Sequence, residues 1–170
     1  MKVTIDGQEI EVEAGTTILQ AARMIGGEVV PPAMCYYSKL KGSGGKCRCC
    51  LVDVTKGSDA DPRPMPKLMA SCVTGCQDGM EIASKASPRV QEARKSVTEF
   101  LLINHPLDCP ICDQAGECDL QNLSFEHGKS ASRFIEEKRT FEPEDIGPNI
   151  QLHMNRCILC QRCVQVADQL

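Results

Sequence analysis

The chain carries 12 cysteines, and they fall into three groups whose spacing suits the binding of metal. Thiolates are soft ligands that bind zinc and iron–sulfur clusters. The N-terminal residues 1–15 carry charges where a secretory signal peptide needs an apolar core. We therefore expect a reducing compartment, in which clustered thiols bind metal rather than pair as disulfides.

The first group contains four thiols that can surround one metal centre. They are Cys35, Cys47, Cys50 and Cys72, and the middle two are separated by two residues. Plant-type [2Fe–2S] sites share this plan, although the first gap is longer here. Glycines in that gap allow backbone N–H groups to approach anionic sulfurs. A structural zinc site is the alternative for these four ligands.

Two cysteines, Cys49 and Cys76, are left over and are interpreted as free, partly buried thiols. Cys49 lies between two candidate ligands, Cys47 and Cys50, so an exchange of ligands stays open.

The second group combines one imidazole with three thiolates. Its residues are His105, Cys109, Cys112 and Cys118. This set suits Cys₃His zinc as well as a [4Fe–4S] cluster, and spacing alone leaves both open. In a [4Fe–4S] site, a neutral imidazole makes the centre one unit less negative than four thiolates would, which favours reduction.

The third group, Cys157, Cys160 and Cys163, has the spacing of the first three ligands in a bacterial-type [4Fe–4S] run. That pattern continues with a cysteine four positions later, where this chain has Ala167. We therefore expect this site to lack its fourth ligand here, unless a distant thiol such as Cys76 supplies it.

A hairpin and a short helix are expected to position the first group. Alternating apolar residues flank Asp6-Gly7, a turn signal, and Thr17 with Gln20 forms a capping box for a helix that ends at Gly26. These elements suit a ferredoxin-type β-grasp domain. Further short strands are predicted at 51–54, 68–70 and 80–83.

A second helix is predicted to begin at Pro88, capped by Ser87, and to connect the first and second groups. Its apolar positions recur at helical spacing, and its other face is expected to be solvated. The apolar positions are Val90, Ala93, Val97, Phe100 and Leu101. Residues 126–150 are charged and irregular and are interpreted as a linker. The solvated face consists of Arg89, Glu92, Arg94 and Lys95.

Charge and composition exclude several functions. The 19 basic and 23 acidic residues give a net charge of −4, which argues against binding a nucleic-acid backbone. No apolar run is long enough for a membrane-spanning helix. No glycine-rich nucleotide fingerprint follows a strand, so we do not expect the chain itself to bind NADH.

The three motifs together resemble a known family. Residues 104–121 (NHPLDCPICDQAGECDLQ), 35–52 with ASC at 70–72, and 154–163 (MNRCILCQRC) resemble the N-terminal iron–sulfur region of the G-type subunit of bacterial NADH-quinone oxidoreductase, respiratory complex I. The likeness covers nearly the whole chain. It departs from the family at Cys49, where methionine is common, and in stopping before the fourth ligand of the last site and before the large molybdopterin-type domain. The chain is therefore interpreted as a fragment.

The resemblance implies an α+β fold in three parts: a [2Fe–2S] β-grasp domain at 1–84, a small helical and loop His-Cys₃ [4Fe–4S] domain at 85–125, and, at 126–170, a linker with the start of a bacterial-ferredoxin-like [4Fe–4S] domain. It implies one [2Fe–2S] cluster, one [4Fe–4S] cluster with a histidine ligand and an incomplete second [4Fe–4S] cluster. The implied ligands are Cys35, Cys47, Cys50 and Cys72; His105, Cys109, Cys112 and Cys118; and Cys157, Cys160 and Cys163.

The same resemblance implies an electron-transfer subunit with no acid–base or nucleophilic residues. Electrons would pass from an NADH-oxidising flavin subunit toward quinone, among the other subunits of the hydrophilic arm of complex I, on the cytoplasmic side of the bacterial inner membrane. The first alternative is the equivalent diaphorase subunit of an NAD(P)-linked hydrogenase or formate dehydrogenase. The second is a zinc-stapled interaction module without a redox role.

Overall fold

The computed structural model describes residues 1–170, and its first element is the predicted hairpin. Strands β1 (Lys2–Ile5) and β2 (Gln8–Glu11) pair antiparallel. Asp6 and Gly7 between them have φ values of 48° and 81°, respectively. Positive φ at both central residues matches the right-handed twist of the flanking strands, which is why this turn closes the hairpin.

The hairpin forms one edge of a five-stranded mixed sheet with the order β2-β1-β5-β3-β4. The three added strands are β3 (Leu51–Lys56), β4 (Met69–Ala70) and β5 (Met80–Ala83). Strand β5 runs parallel to β1, while β3 pairs antiparallel with both β5 and β4. The predicted α+β fold with a β-grasp first part is confirmed, and β3 extends two residues further than expected.

Helix α1 (Ile18–Ile25) packs on this sheet and has the predicted ends. Thr17 and Gln20 exchange both hydrogen bonds of the capping box. At the other end, Gly26 has φ 82°, a conformation that glycine adopts without strain. The buried side of α1, with Ile18, joins apolar residues of the sheet in the main core.

Helix α2 (Pro88–Leu102) begins as predicted, since the Ser87 side chain accepts a hydrogen bond from the backbone N–H of Val90. The expectation of a solvated polar face is wrong for Arg94, which is only 4% exposed. Phe100, assigned to the apolar side, is 73% exposed. The buried face of α2 therefore differs from the predicted one: it includes Arg94, whereas Phe100 faces outward.

The second half of the chain is less regular and lies against α2. Helix α3 (Asp119–His127) packs on α2, and Lys138 donates hydrogen bonds to the carbonyls of Leu102 and Ile103 at the end of α2. A side-chain ammonium at this position satisfies carbonyls that have no partner inside the helix. Residues 126–150, predicted as a linker, are thus mostly irregular, and they contact the end of α2 through Lys138.

The described chain ends with a two-stranded sheet and a last helix. Strands β6 (Glu144–Asp145) and β7 (Gln151–Leu152) pair antiparallel, and α4 (Arg162–Gln169) follows the third cysteine group. None of the four helices is long and apolar enough to span a membrane.

Candidate metal centres

The structure brings the four thiols of the first group together in one buried place. Cys35 follows α1, Cys47 and Cys50 precede β3, and Cys72 follows β4. All four are between 1% and 5% exposed. The sheet and α1 thus position ligands that lie up to 37 residues apart in the sequence.

Contacts between sulfurs link these four side chains. The Sγ atoms of Cys50 and Cys72 are 3.3 Å apart. Hydrogen bonds with the thiols of Cys47 and Cys72 lower the pKa of Cys35, and a hydrogen bond with Cys72 lowers the pKa of Cys50 to about 6. The hydrogen bonds that they make to Cys35 raise the pKa of Cys47 and of Cys72. The contacts between the thiols therefore favour the anionic form at Cys35 and Cys50, and the thiolate is the form that binds metal.

Backbone N–H groups point at two of the sulfurs. The N–H of Gly45 donates to Sγ of Cys72 over 3.1 Å, and the N–H groups of Lys46 and Cys47 donate to Sγ of Cys35 over 3.4 and 3.3 Å. Such donors stabilise anionic sulfur. The predicted role of the loop glycines, to bring backbone N–H groups close to sulfur, is what this geometry shows.

The loop comes so close to the sulfurs that a side chain at Gly44 would crowd them. A Cβ there would lie 3.1 Å from Sγ of Cys72 and 3.3 Å from Cγ1 of Val73. Its φ of 106° also lies in the region that favours glycine. The absence of a side chain at Gly44 therefore lets the backbone of the loop approach the sulfurs closely.

The first group fits a [2Fe–2S] cluster. In such a cluster four thiolates are shared between two irons. Four buried thiols with backbone donors and a glycine cradle have the chemistry that such a cluster needs.

The two leftover cysteines are both buried, at 3% exposure for Cys49 and 7% for Cys76. Cys49 Sγ donates to the carbonyl of Cys47, with the two atoms 3.7 Å apart. Cys76 belongs to the core under the sheet, where burial raises the pKa of its thiol. It lies in a different apolar cluster from Cys160 of the third group, so nothing in the structure brings Cys76 to that group.

In the second group, the surroundings of His105 favour its neutral form, which is the form that binds metal. Burial, and then the positive charge of Arg156, lower the pKa of its imidazole. Its Nδ1 atom is buried without a hydrogen-bond partner, an expensive state for a polar atom that a metal would relieve. Cys109 begins a 3₁₀ turn and is exposed, whereas Cys112 and Cys118 are half-buried.

The third group winds through a loop with unusual backbone angles. Leu159 and Gln161 have φ values of 55° and 60°, and the N–H of Leu159 lies 3.4 Å from Sγ of Cys157. A hydrogen bond with Cys160 raises the pKa of Arg162. Cys157 and Cys163 are exposed, so this loop is the most open of the three.

All three groups meet at one apolar cluster that we call the junction. Its buried members include Cys35 and Cys47 from the first group, and Cys118 and Cys160 from the other two groups pack against it. A cavity of about 610 Å³ beside it is lined by Cys47, His105 and Cys157, among other residues. The remaining members are Cys49, Met34, Leu120, Leu123, Val97, Leu101, Leu102 and Ile158.

Polar contacts also join the groups to one another. Arg156 donates to a carboxylate oxygen of Asp108 over 2.8 Å and so connects the second group to the third. Gln165 and Gln169 on α4 donate to the carbonyls of Gly42 and Lys41, on the loop that continues into Gly44 and Gly45 beside the first group. Nothing in the local sequence indicated these contacts, because each joins residues at least 48 positions apart.

Comparison with family models gives three matches along the chain. Residues 1–87 match a 2Fe-2S iron-sulfur cluster binding domain, and residues 94–133 match the NADH-ubiquinone oxidoreductase-G iron-sulfur binding region. Residues 147–170 match the ferredoxin-like domain of NADH-quinone oxidoreductase subunit 3. The order of these cluster-binding regions is the one that the cysteine groups predict.

Curated proteins and solved structures give consistent relatives. The G-type subunit of NADH-quinone oxidoreductase from Rickettsia bellii is 48% identical over 170 residues, and the mitochondrial NADH-ubiquinone oxidoreductase 78 kDa subunit of Candida albicans is 48% identical over 172 residues. Both alignments cover 100% of this chain but only 23% and 22% of those proteins. A crystal structure of an NAD+-reducing [NiFe]-hydrogenase in the H2-reduced state has a TM-score of 0.83 at 31% identity and covers 99% of this chain and 66% of that one.

Proposed function

The chain belongs to the family of G-type NADH-quinone oxidoreductase subunits, of which it matches the iron–sulfur region, and on that premise we propose that it carries electrons from an NADH-oxidising flavin subunit toward quinone. The observation that supports this role is the junction, where all three cysteine groups meet. Electron transfer between centres needs short separations through packed protein. One apolar cluster shared by three ligand groups supplies that arrangement.

The first proposed ligand set is Cys35, Cys47, Cys50 and Cys72 for a [2Fe–2S] cluster. When bound, the clusters supply reversible one-electron chemistry, and the protein sets their potentials through ligands, hydrogen bonds and burial. The other proposed sets are His105, Cys109, Cys112 and Cys118 for a [4Fe–4S] cluster, and Cys157, Cys160 and Cys163 for part of a second one.

The proposal extends to organisation and partners. We assign the [2Fe–2S] domain to 1–84, the His-Cys₃ domain to 85–125, and the linker with the start of the last domain to 126–170. The partners are the flavin subunit and other subunits of the hydrophilic arm, with the chain peripheral on the cytoplasmic side of the inner membrane. The exposed apolar side chains of Phe125 and Ile135, 84% and 95% exposed, offer surface for such neighbours.

Anaerobic reconstitution with iron and sulfide tests this proposal. We expect acid-labile sulfide and EPR signals of a reduced [2Fe–2S] and a reduced [4Fe–4S] cluster. Cys50→Ser should remove the first signal only, and the matched Cys76→Ser, at a buried thiol outside the ligand set, should keep both. A colourless protein that holds zinc and no sulfide would instead support the non-redox zinc module.

The hydrogenase context is a second candidate, because the similar solved structure is an NAD+-reducing hydrogenase. The two contexts differ in the acceptor of the electrons. NADH-dependent quinone reduction by the holoenzyme supports the respiratory role, while NAD+ reduction by hydrogen supports the hydrogenase role.

A further inference from the structure

One buried charge lies beside the first cysteine group and has no part in the proposed ligand sets. Arg94 on α2 is 4% exposed, and its Nη2 atom donates to Oγ of Ser84 over 2.9 Å. The same atom is 3.5 Å from the carbonyl oxygen of Leu51, the residue directly after Cys50. The guanidinium therefore lies between α2 and the strand that begins at the first site.

Burial of this guanidinium is only partly compensated. Its Nε atom is buried with no hydrogen-bond partner. Removing a charge from water is costly unless the charge is paired and its donors are satisfied. No carboxylate forms an ion pair with Arg94. A neutral side chain could connect the helix to the sheet at a lower desolvation cost.

The charges that act on Arg94 belong to the first site and to Asp6. Burial lowers the pKa of Arg94, whereas the carboxylate of Asp6 and the sulfurs of Cys50 and Cys49 raise it. Asp6 itself accepts hydrogen bonds from the backbone N–H groups of Ser84 and Lys85. Arginine stays protonated under all ordinary conditions, so its positive charge is permanent.

We infer that Arg94 is a positioning residue that raises the reduction potential of the [2Fe–2S] centre held by Cys35, Cys47, Cys50 and Cys72. Reduction adds one negative charge to a centre whose thiolates are already anionic. A fixed positive charge in a buried environment stabilises the reduced form more than the oxidised form, and salt screens it little. This inference rests on the proposed ligand set of the first site.

The experiment is an EPR-monitored redox titration of the reconstituted full chain, comparing Arg94→Gln with the native protein. We expect the ratio of reduced to oxidised [2Fe–2S] cluster at a fixed ambient potential to fall about tenfold, which corresponds to a shift of about 59 mV for one electron. Arg94→Lys, which keeps the charge, should restore most of the potential.

Two further variants separate charge from structure. Arg89→Gln removes the same charge from the same helix at an exposed position that pairs with Asp53, and it should leave the potential unchanged. Ser84→Ala removes the acceptor of Arg94 but not its charge, so stability should fall while the potential changes little.

The outcomes distinguish this inference from the proposed function. A native chain that shows no [2Fe–2S] signal would overturn the ligand assignment itself. A native signal with no downward shift in Arg94→Gln, or with equal shifts in Arg94→Gln and Arg89→Gln, would overturn the role of Arg94 alone.

Discussion

The loop at 44–47 approaches the first site through its backbone, and Gly44 is the residue that makes this approach close. Three N–H groups of the loop donate to the sulfurs of Cys35 and Cys72. A side chain at Gly44 would press on the sulfur of Cys72. The hydrogen bonds to the ligand sulfurs therefore depend on a residue that does not bind metal.

We expect Gly44→Ala to lower the [2Fe–2S] content of the protein. Strain at a positive φ costs about 1–3 kcal/mol, and the added Cβ would also displace the sulfur that it meets. Acid-labile sulfide and the intensity of the [2Fe–2S] signal per chain measure the loss.

Gly15→Ala is the matched control, because Gly15 has φ 89° with nothing within 4 Å of its Cβ position. It should carry the backbone strain without loss of cluster. Equal cluster content in the two variants would show that the close approach at Gly44 does not matter.

The imidazole of His105 should set the potential of the second centre. His105→Cys replaces a neutral ligand by a thiolate, so the centre becomes one unit more negative and its reduction potential should fall. A redox titration of the [4Fe–4S] signal measures the shift. His127→Cys introduces the same side chain at another partly buried histidine and should have no effect; an unchanged or higher potential in His105→Cys would contradict the ligand role.

At the scale of elements, α4 holds the loop that leads into residues 44–47 of the first site. Gln169 both donates to the carbonyl of Lys41 and accepts from its N–H, and Gln165 donates to the carbonyl of Gly42. Helix α4 therefore closes a loop of the first domain. The site is thus assembled from distant parts of the sequence.

Removing these amides should loosen the loop. In Gln165→Ala/Gln169→Ala, the amide of Lys41 should exchange its hydrogen on the order of fivefold faster, since one such hydrogen bond contributes about 1 kcal/mol. Hydrogen exchange followed by mass spectrometry measures this rate. Asp168→Asn on the same helix is the control, and equal exchange in both variants would contradict the closing role of α4.

The elements that could be predicted are those with local signals. The Asp6-Gly7 turn, the capping box at Thr17 and the Ser87 cap all act within a few residues, so their elements appear where expected. The burial of Arg94 could not be predicted, because helical periodicity says which residues share a face but not what packs against that face. For the same reason, the packing of α4 on the loop at 41–42 could not be predicted.

For the site, residue type and spacing were enough to select the four thiols that the structure gathers. For the second and third groups the ligand sets stay a prediction, since the surroundings of His105 favour its neutral form while several of the thiols are exposed. Binding of a cluster fixes the positions of its ligands, and sequence spacing alone does not determine these positions.

At the scale of the whole molecule, the junction is a second, smaller core beside the main core under the sheet. Only 33 of 170 residues are buried, and the junction is the apolar cluster that all three cysteine groups share. The helix α3 contributes Leu120 and Leu123 to it, at 5% and 7% exposure. The packing of the junction therefore keeps the three cysteine groups at fixed separations.

Leu123→Ala should weaken this connection. Truncating a buried leucine costs about 2–5 kcal/mol, and here the loss falls on the contact of α3 with the first site. We expect faster proteolytic cleavage within 126–150, while the sheet core stays intact. Ile135→Ala, at a residue that is 95% exposed, should not change cleavage; faster cleavage there as well would contradict the special role of the junction.

The contact of α4 with the loop at 41–42 bears on how the first cluster enters the protein. The four thiols are at most 5% exposed, so iron and sulfide need a local opening of the chain to reach them. Two of the contacts that hold this loop come from residues more than 120 positions further along the chain. We therefore expect the rate at which the first cluster is inserted, and not only its potential, to depend on how firmly the last helix is packed.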